Sequence, residues 1–405
     1  MYLTQRKVCC ARRNPLLVVR LAAQVTNPRR NPLLAVRLAV LATNPKKNPL
    51  LAVRLAEQET SKMKEYFAFQ WHITDECDQR CKHCYIFAEG HPALIETPWE
   101  QLVNTLDNIE RMAERMNRTP YLYITGGDPI LHRRFWDFLE LIHERVIPFA
   151  LMGNPFHLTP EVCRRIHEFG CRKYQLSLDG LRETHDHFRK PGSFNTTLAA
   201  IPVIRNAGMH CAIMTTVSAT NISEIPALID VVVEHQADIF AFGRYCPTSE
   251  DKAHRETWHI EPQRYHEFLD ECWQKFQQHK DSNTTFNLKD HLWTLYLYEQ
   301  GLWKMPEQAD SDTIYDGCHC GDCHFTISAE GRLMACRRFD SYVGTVNEDM
   351  YGVFHGEKMN RYREYEQFEK CGKCELLRFC RGCPAVAFGY SHSFYSPDPQ
   401  CWKQI

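Results

Sequence analysis

From Tyr66 onward, apolar and polar positions alternate between strand-like runs and amphipathic helical stretches. The strand candidates are Tyr66–Ile73, Tyr121–Thr125, Phe149–Met152, Lys173–Leu178, Cys211–Val217 and Ile239–Phe242. The helices between them have readable ends. Thr97-Pro98-Trp99-Glu100 has the form of a capping box with proline at the first helical position. Thr159-Pro160 repeats the start signal, and Gly170 and Gly208 read as stops. Strand–helix alternation with crossovers of about 20 to 50 residues implies a parallel sheet, coiled or closed into a barrel.

The first 62 residues have another texture. Asn14-Pro-Leu-Leu-Val-Val-Arg-Leu-Ala returns, nearly unchanged, at Asn31 and Asn48, a period of 17 residues. A proline in each unit limits any helix to about two turns, too short to be stable alone. Solenoid units run about 20 to 50 residues, and this one lacks turn chemistry for stacking. The segment carries 12 Lys and Arg against two acids, a charge of +10 that leaves −12 on the other 343 residues. Residues 1–62 are therefore expected to be a basic tail without a stable fold. A translated upstream repeat with the true start at Met63 would explain it; a basic arm for a membrane or partner is the functional alternative.

Composition narrows the class. A length of 405 residues suggests two or three domains, and 44% apolar and 24% charged residues are ordinary for a globular chain. The net charge of −2 provides no global basic field for nucleic acid. No apolar stretch approaches the length of a membrane span.

The 19 cysteines are the anomaly. They fall in tight groups: Cys77, Cys81 and Cys84; Cys318, Cys320, Cys323 and Cys336; Cys371, Cys374, Cys380 and Cys383, with Cys401 beyond. Cysteines two or three apart rarely reach disulfide geometry, so metal or iron–sulfur ligation in a reducing cytoplasm is expected. The first group follows strand one, Gly126-Gly127-Asp128-Pro129 follows strand two, and Gly153-Asn154 follows strand three. Ser177-Leu178-Asp179-Gly180 ends strand four, Thr215-Thr216 lies near the end of strand five, and Arg244 follows strand six. All occupy the edge where parallel α/β barrels assemble active sites.

Three cysteines within eight residues can hold three irons of a [4Fe–4S] cluster and leave the fourth open. A zinc knuckle completed by His83 or a distant ligand is the alternative. Cys77-x3-Cys81-x2-Cys84, followed by Tyr85, resembles the signature of the radical S-adenosylmethionine (SAM) superfamily. Gly126-Gly127-Asp128-Pro129 resembles that family's diglycine-glutamate motif, with Asp128 in place of the commoner glutamate. The resemblance implies a partial (β/α)6 TIM-type barrel over residues 63–246. It implies a cluster on Cys77, Cys81 and Cys84 whose open iron chelates SAM, and it places Gly126, Gly127 and Asp128 near the SAM amino group. Ser177 and Asp179 match the strand contacting the ribose and carboxylate region; Asn154, Thr216 and Arg244 are further pocket candidates. Arg244 as a salt-bridge partner on the surface, and Ser177-Leu-Asp-Gly as a plain strand end and turn, are the bland alternatives.

Residues 247–305 read as a helical connector, and residues 306–405 resemble the small cysteine-rich SPASM domain with two auxiliary [4Fe–4S] clusters. By that resemblance Cys318, Cys323, Cys336 and Cys383 hold one cluster and Cys371, Cys374, Cys380 and Cys401 the other. Cys380-Arg381-Gly382-Cys383 departs from the family pattern, having two residues between its cysteines where three are common. Cys320 could replace Cys318 or be a spare thiol, and a pair of structural zinc ribbons is the alternative to iron–sulfur. The resemblance implies reductive SAM cleavage to a 5′-deoxyadenosyl radical and hydrogen abstraction from a peptide, with flavodoxin or ferredoxin as electron donor. Such maturases often carry an N-terminal winged-helix peptide-recognition domain, which residues 1–62 cannot make. Oxidation of a Cys or Ser in a protein, as by anaerobic sulfatase maturases, is the second expectation. A zinc-binding module or simple electron carrier is the third.

Overall fold

The computed structural model describes residues 66–87, 94–248, 251, 253–306 and 314–405; the 17-residue repeats and Met63 lie outside the described residues. β1 (Tyr66–His72) shows why the chain folds as it does. Phe67, Phe69 and Trp71 are fully buried on one face, while Ala68 and Gln70 occupy the other. This period of two gives every strand a face toward the helices and a face toward the interior. β2 (Thr119–Thr125), β3 (Phe149–Met152), β4 (Lys173–Ser177), β5 (His210–Val217) and β6 (Ile239–Arg244) follow, each within two residues of the expected ends. All five pairings from β1 to β6 are parallel, with Trp71 opposite Ile124 and Ser177 opposite Met214. The crossovers are helical, including Trp99–Met116, Phe135–Glu144 and Ile225–Glu234.

The sheet does not stop at six strands. β7 (Thr285–Asn287), from the stretch expected to be a helical connector, pairs in parallel with β6. β8 (His324–Ile327) pairs in parallel with β1 on the opposite edge, and β9 (Arg332–Met334) and β10 (Tyr342–Thr345) extend it antiparallel. The result is one open sheet in the order β10-β9-β8-β1-β2-β3-β4-β5-β6-β7, so the cysteine-rich end grows from the edge of the barrel.

Side chains reinforce that junction. The helix at Pro160–Glu168 is capped as expected, Thr159 Oγ1 accepting from the Val162 N–H at 3.2 Å. The expected capping box at Thr97 does not form. Its hydroxyl donates instead to the Ala329 carbonyl at 2.9 Å, a long-range bond that competes with the local cap. From the following helix, Asn108 Nδ2 donates to the carbonyls of Val346 (2.9 Å) and Glu348 (2.6 Å). No helix among the described residues is long and apolar enough to cross a membrane.

Candidate active site

A cavity of about 480 Å³ opens at the C-terminal ends of the strands. Its wall begins at the loop after β1, where Cys77, Cys81 and Cys84 all face it. Their thiols raise one another's proton affinity, Cys81 acting on Cys77, Cys84 on Cys81 and Cys77 on Cys84. Burial is the larger cause and pushes Cys81 up to about 11, so a metal binding here must displace protons. Asn154 Nδ2 donates to Cys77 Sγ at 3.2 Å and to Asp78 Oδ1 at 2.8 Å.

Backbone approach explains the diglycine. The N–H of Gly127 donates to the Thr74 carbonyl (2.8 Å) and that of Asp128 to the Glu76 carbonyl (2.7 Å), lacing this loop to the cysteine loop. A Cβ on Gly126 would lie 2.2 Å from the Thr74 oxygen, and one on Gly127 2.1 Å from the Glu76 oxygen. Neither position tolerates a side chain.

The expected SAM pocket residues divide into two sets. Gly126, Gly127, Asn154, Ser177 and Thr216 line the cavity; Asp128, Asp179 and Arg244 do not. Asp128 is fully buried behind Gly153, and burial together with Asp78 raises it to about 7 against the backbone N–H groups of Asn154 and Ile130, which lower it. Asp179 is spent on its own neighbours: it accepts from Arg189 Nε at 2.5 Å and from the Thr216 N–H at 2.8 Å. Burial alone would raise this carboxyl, but Arg189 and His83 hold it at about 2.

Arg244 corrects the expectation most clearly. Alternation along β6 puts it on the face of Phe240 and Phe242, and gives the cavity Gly243 instead. It is 1% exposed and not on the surface. There Nε donates to Asp290 at 2.9 Å, Nη1 and Nη2 donate to Asp398 at 2.6 and 2.8 Å, and Nη1 also donates to Gln400. This arginine ties the end of the chain to the barrel.

Several lining residues escaped sequence reasoning. Gln70 and Gln175 are inward-facing positions of β1 and β4, which a polar residue on the face opposite Phe69 and Leu176 could have revealed. Arg189, just past the helix Arg182–Phe188, directs Nη1 toward Cys81 Sγ at 3.6 Å. Nothing in the local sequence marks it or Lys289, which also lines the cavity.

The second cysteine field also lines this cavity. Cys318, Cys320, Cys336 and Cys383 are the lining thiols, and the Cys320 N–H donates to Cys318 Sγ at 3.5 Å. Cys318 raises the proton affinity of Cys320, Cys336 and Cys383, so the four form one neighbourhood. Cys323 does not line the cavity. Its sulfur lies within 4.8 Å of a His319 ring nitrogen and an Asp322 oxygen, and Cys320 stands in the position expected of it. Farther out, Cys371 is raised by Cys401 and Cys374, and Cys380 by Cys371 and Cys401, which brings the remaining expected set together. Between the two groups Arg381 is 2% exposed, with Nε and Nη2 lacking any hydrogen-bond partner. Orphaned buried donors beside clustered thiols fit an anionic thiolate-bound cluster. All 17 described cysteines are free.

Residues 71–232 match the Radical SAM superfamily. That span of the chain carries a Radical SAM domain. Among relatives, the AdoMet-dependent heme synthase of Methanosarcina barkeri is 24% identical over 339 residues, covering 82% of this chain and 95% of that protein. The mycofactocin maturase MftC of Mycolicibacterium smegmatis is 24% identical over 342 residues, covering 82% and 81%. Among solved structures, Streptococcus suis SuiB bound to S-adenosylmethionine aligns with a TM-score of 0.64 at 18% identity, covering 95% of this chain and 90% of that one. An anSMEcpe structure with bound AdoMet and the Cp18Cys peptide gives 0.63 at 17%, covering 83% and 94%. The chain is a radical SAM enzyme with the family's partial-barrel fold, and its cofactors are SAM and a [4Fe–4S] cluster.

Proposed function

We propose that this radical SAM enzyme modifies a peptide, abstracting a hydrogen atom from an unactivated C–H bond as a ribosomal peptide maturase does. The observation that carries the proposal is one cavity lined by two groups of thiols: Cys77, Cys81 and Cys84, and Cys318, Cys320, Cys336 and Cys383. Cys77, Cys81 and Cys84 would hold the cluster that binds SAM, against Gly126, Gly127, Asn154, Ser177 and Thr216. The chemistry this pair supplies when bound is one-electron cleavage of the sulfonium to methionine and a 5′-deoxyadenosyl radical. The residues here would orient the nucleoside and exclude water. Arg189 would offset thiolate charge at Cys81.

We assign Cys318, Cys320, Cys336 and Cys383 to one auxiliary cluster and Cys371, Cys374, Cys380 and Cys401 to a second, within a SPASM-like region at 306–405. The barrel core would run from 63 to 246, with 247–305 joining the two. A flavodoxin or ferredoxin in a reducing cytoplasm would supply electrons. The peptide class is supported by the SuiB structure bound to precursor peptide SuiA and by the peptide-bound anSMEcpe structure. The latter also keeps oxidation of a protein Cys or Ser in view.

A second reading takes a tetrapyrrole as substrate. It is favoured by relatives named AdoMet-dependent heme synthase and Fe-coproporphyrin III synthase, matched over 86–95% of their lengths. Anaerobic reconstitution with iron, sulfide, dithionite and SAM, followed by mass spectrometry, tests the shared chemistry. We expect 5′-deoxyadenosine from the native chain, none from Cys81→Ala, and about 12 irons per chain for three four-iron clusters. A colourless, zinc-loaded protein that leaves SAM intact would refute the proposal. A peptide-mass change in a short Cys-rich precursor encoded nearby would select the first reading over the second.

A further inference from the structure

Two arginines stand within the second cysteine field, and the short Cys380-Arg381-Gly382-Cys383 turn places one of them. Gly382 takes a left-handed φ of 57°, and a Cβ there would lie 2.6 Å from Asp398 Cβ. Its N–H donates to Cys380 Sγ at 3.5 Å, and the Cys383 N–H donates to Asp398 Oδ2 at 2.6 Å. The turn divides its cysteines between the two groups: Cys371 and Cys401 act on Cys380, whereas Cys318 acts on Cys383. Arg381 is left at the join. Its guanidinium lies 4.9 Å from the Tyr365 ring centroid, and its buried Nε and Nη2 have no hydrogen-bond partner. Its charge is felt at Cys318 and Cys320, and at Asp322, an acid already paired with His319 at 3.5 Å.

Arg338, two residues past Cys336, is the second cation. Its Nη1 lies 4.0 Å from Cys383 Sγ, its Nη2 donates to the Arg244 carbonyl, and its charge acts on Cys336 and Cys383. Arg244 also reaches Cys383, but it is clamped by Asp290 and Asp398. Between them Arg381 and Arg338 therefore act on all four thiols of the first group. The second group has a different neighbourhood: at Cys371 and Cys401, Lys370 and Asp398 act with opposite sign.

Reduction adds a negative charge to a site already anionic through its thiolates. A fixed cation beside it favours the reduced form and raises the potential, the more so where burial weakens solvent screening. We propose that Arg338 and Arg381 are positioning residues that raise the reduction potential of the first auxiliary cluster and leave that of the second unchanged. This rests on the auxiliary clusters assigned above, and gives the one that shares a cavity with the Cys77–Cys84 loop its own electrostatic control.

The reconstituted full chain is titrated potentiometrically without oxygen, its clusters followed by electron paramagnetic resonance. The signal altered by added SAM belongs to the three-cysteine loop, and the one lost in Cys374→Ala belongs to the second group; the remaining midpoint is the one tested. With the potential fixed at the native midpoint, Arg338→Met and Arg381→Met should each lower the ratio of reduced to oxidised first cluster about tenfold, a midpoint lower by about 59 mV. Arg381→Lys should recover most of that loss, because it keeps the charge. Unchanged midpoints in both methionine variants overturn the proposal. So does an equal shift in both auxiliary clusters, or an Arg381→Lys variant that behaves as Arg381→Met. Loss of the first cluster's iron from both methionine variants overturns it as well, since the arginines would then hold the cluster and not tune it. A native chain with about four irons and a single signal would refute the auxiliary clusters themselves. Three clusters whose midpoints ignore the arginines would refute only the tuning.

Discussion

Arg189 and Arg244 are both withdrawn from solvent and both clamped by aspartate, yet they have opposite positions. Arg189 faces the cavity, is shared among Asp179, His83 and Cys81, and keeps 11% of its side chain exposed. Arg244 turns away from the cavity, spends its donors on Asp290, Asp398 and Gln400, and keeps 2%. Residue type and aspartate pairing are the same; the direction of the side chain and its remaining partners differ. A buried ion pair is therefore not evidence of a site until the direction of its side chain is known.

Removing each arginine sharpens this contrast. Arg244→Met strands two buried carboxylates and should cost about 3–5 kcal/mol, read as a lowered denaturation midpoint. A loss under about 1 kcal/mol would mean that the chain end is not anchored by this network. Arg189→Met strands one carboxylate and should cost less, about 2–3 kcal/mol, but it should also lower iron retention at the three-cysteine loop. Iron content equal to that of the native chain would erase the functional half of the comparison.

The pH dependence provides a third test. The folded value of Asp179 lies near 2, below the ordinary carboxylate value, so its stabilisation is present above about pH 5. It is lost as pH falls through about 4 toward 2, a contribution on the order of 2.5 kcal/mol. Asp179→Asn should flatten the acid limb of the stability curve; an unchanged limb would show that the carboxylate is not held down in the folded protein. The smallest effect is expected at Thr97, which also joins the barrel to the cysteine-rich end, but through one neutral hydrogen bond. Thr97→Ala should cost about 1 kcal/mol in chemical denaturation, and a neutral result would assign the junction to strand pairing alone.

Much of the barrel was legible because strands and helices leave local periodicities. The six strands from Tyr66 to Arg244 emerge within two residues of their expected ends for that reason. β7 did not, because three residues are too few to show a period, and they were read within a helical stretch. The thiol groups were legible because ligands two to five residues apart are brought together by the local backbone. Cys323 shows the limit: it sits three residues from Cys320, and only the turn before β8 decides which sulfur meets Cys318 and which meets His319. Thr97 shows another, since its motif promises a cap and its hydroxyl finds a carbonyl 232 residues away.

By itself, the order of residues determined the alternation of elements, the cysteine loop and the diglycine turn, all of which depend on neighbours within a few positions. Only the tertiary structure decided that Arg244 serves the chain end, that Arg189 turns toward the thiols, and that Lys289 and Arg337 line the same cavity. Those outcomes depend on which strand face points inward and on which distant groups arrive first at each charge. Coulombic and hydrogen-bonding partners are chosen by distance in space, and the spacing of residues along the chain carries no record of it.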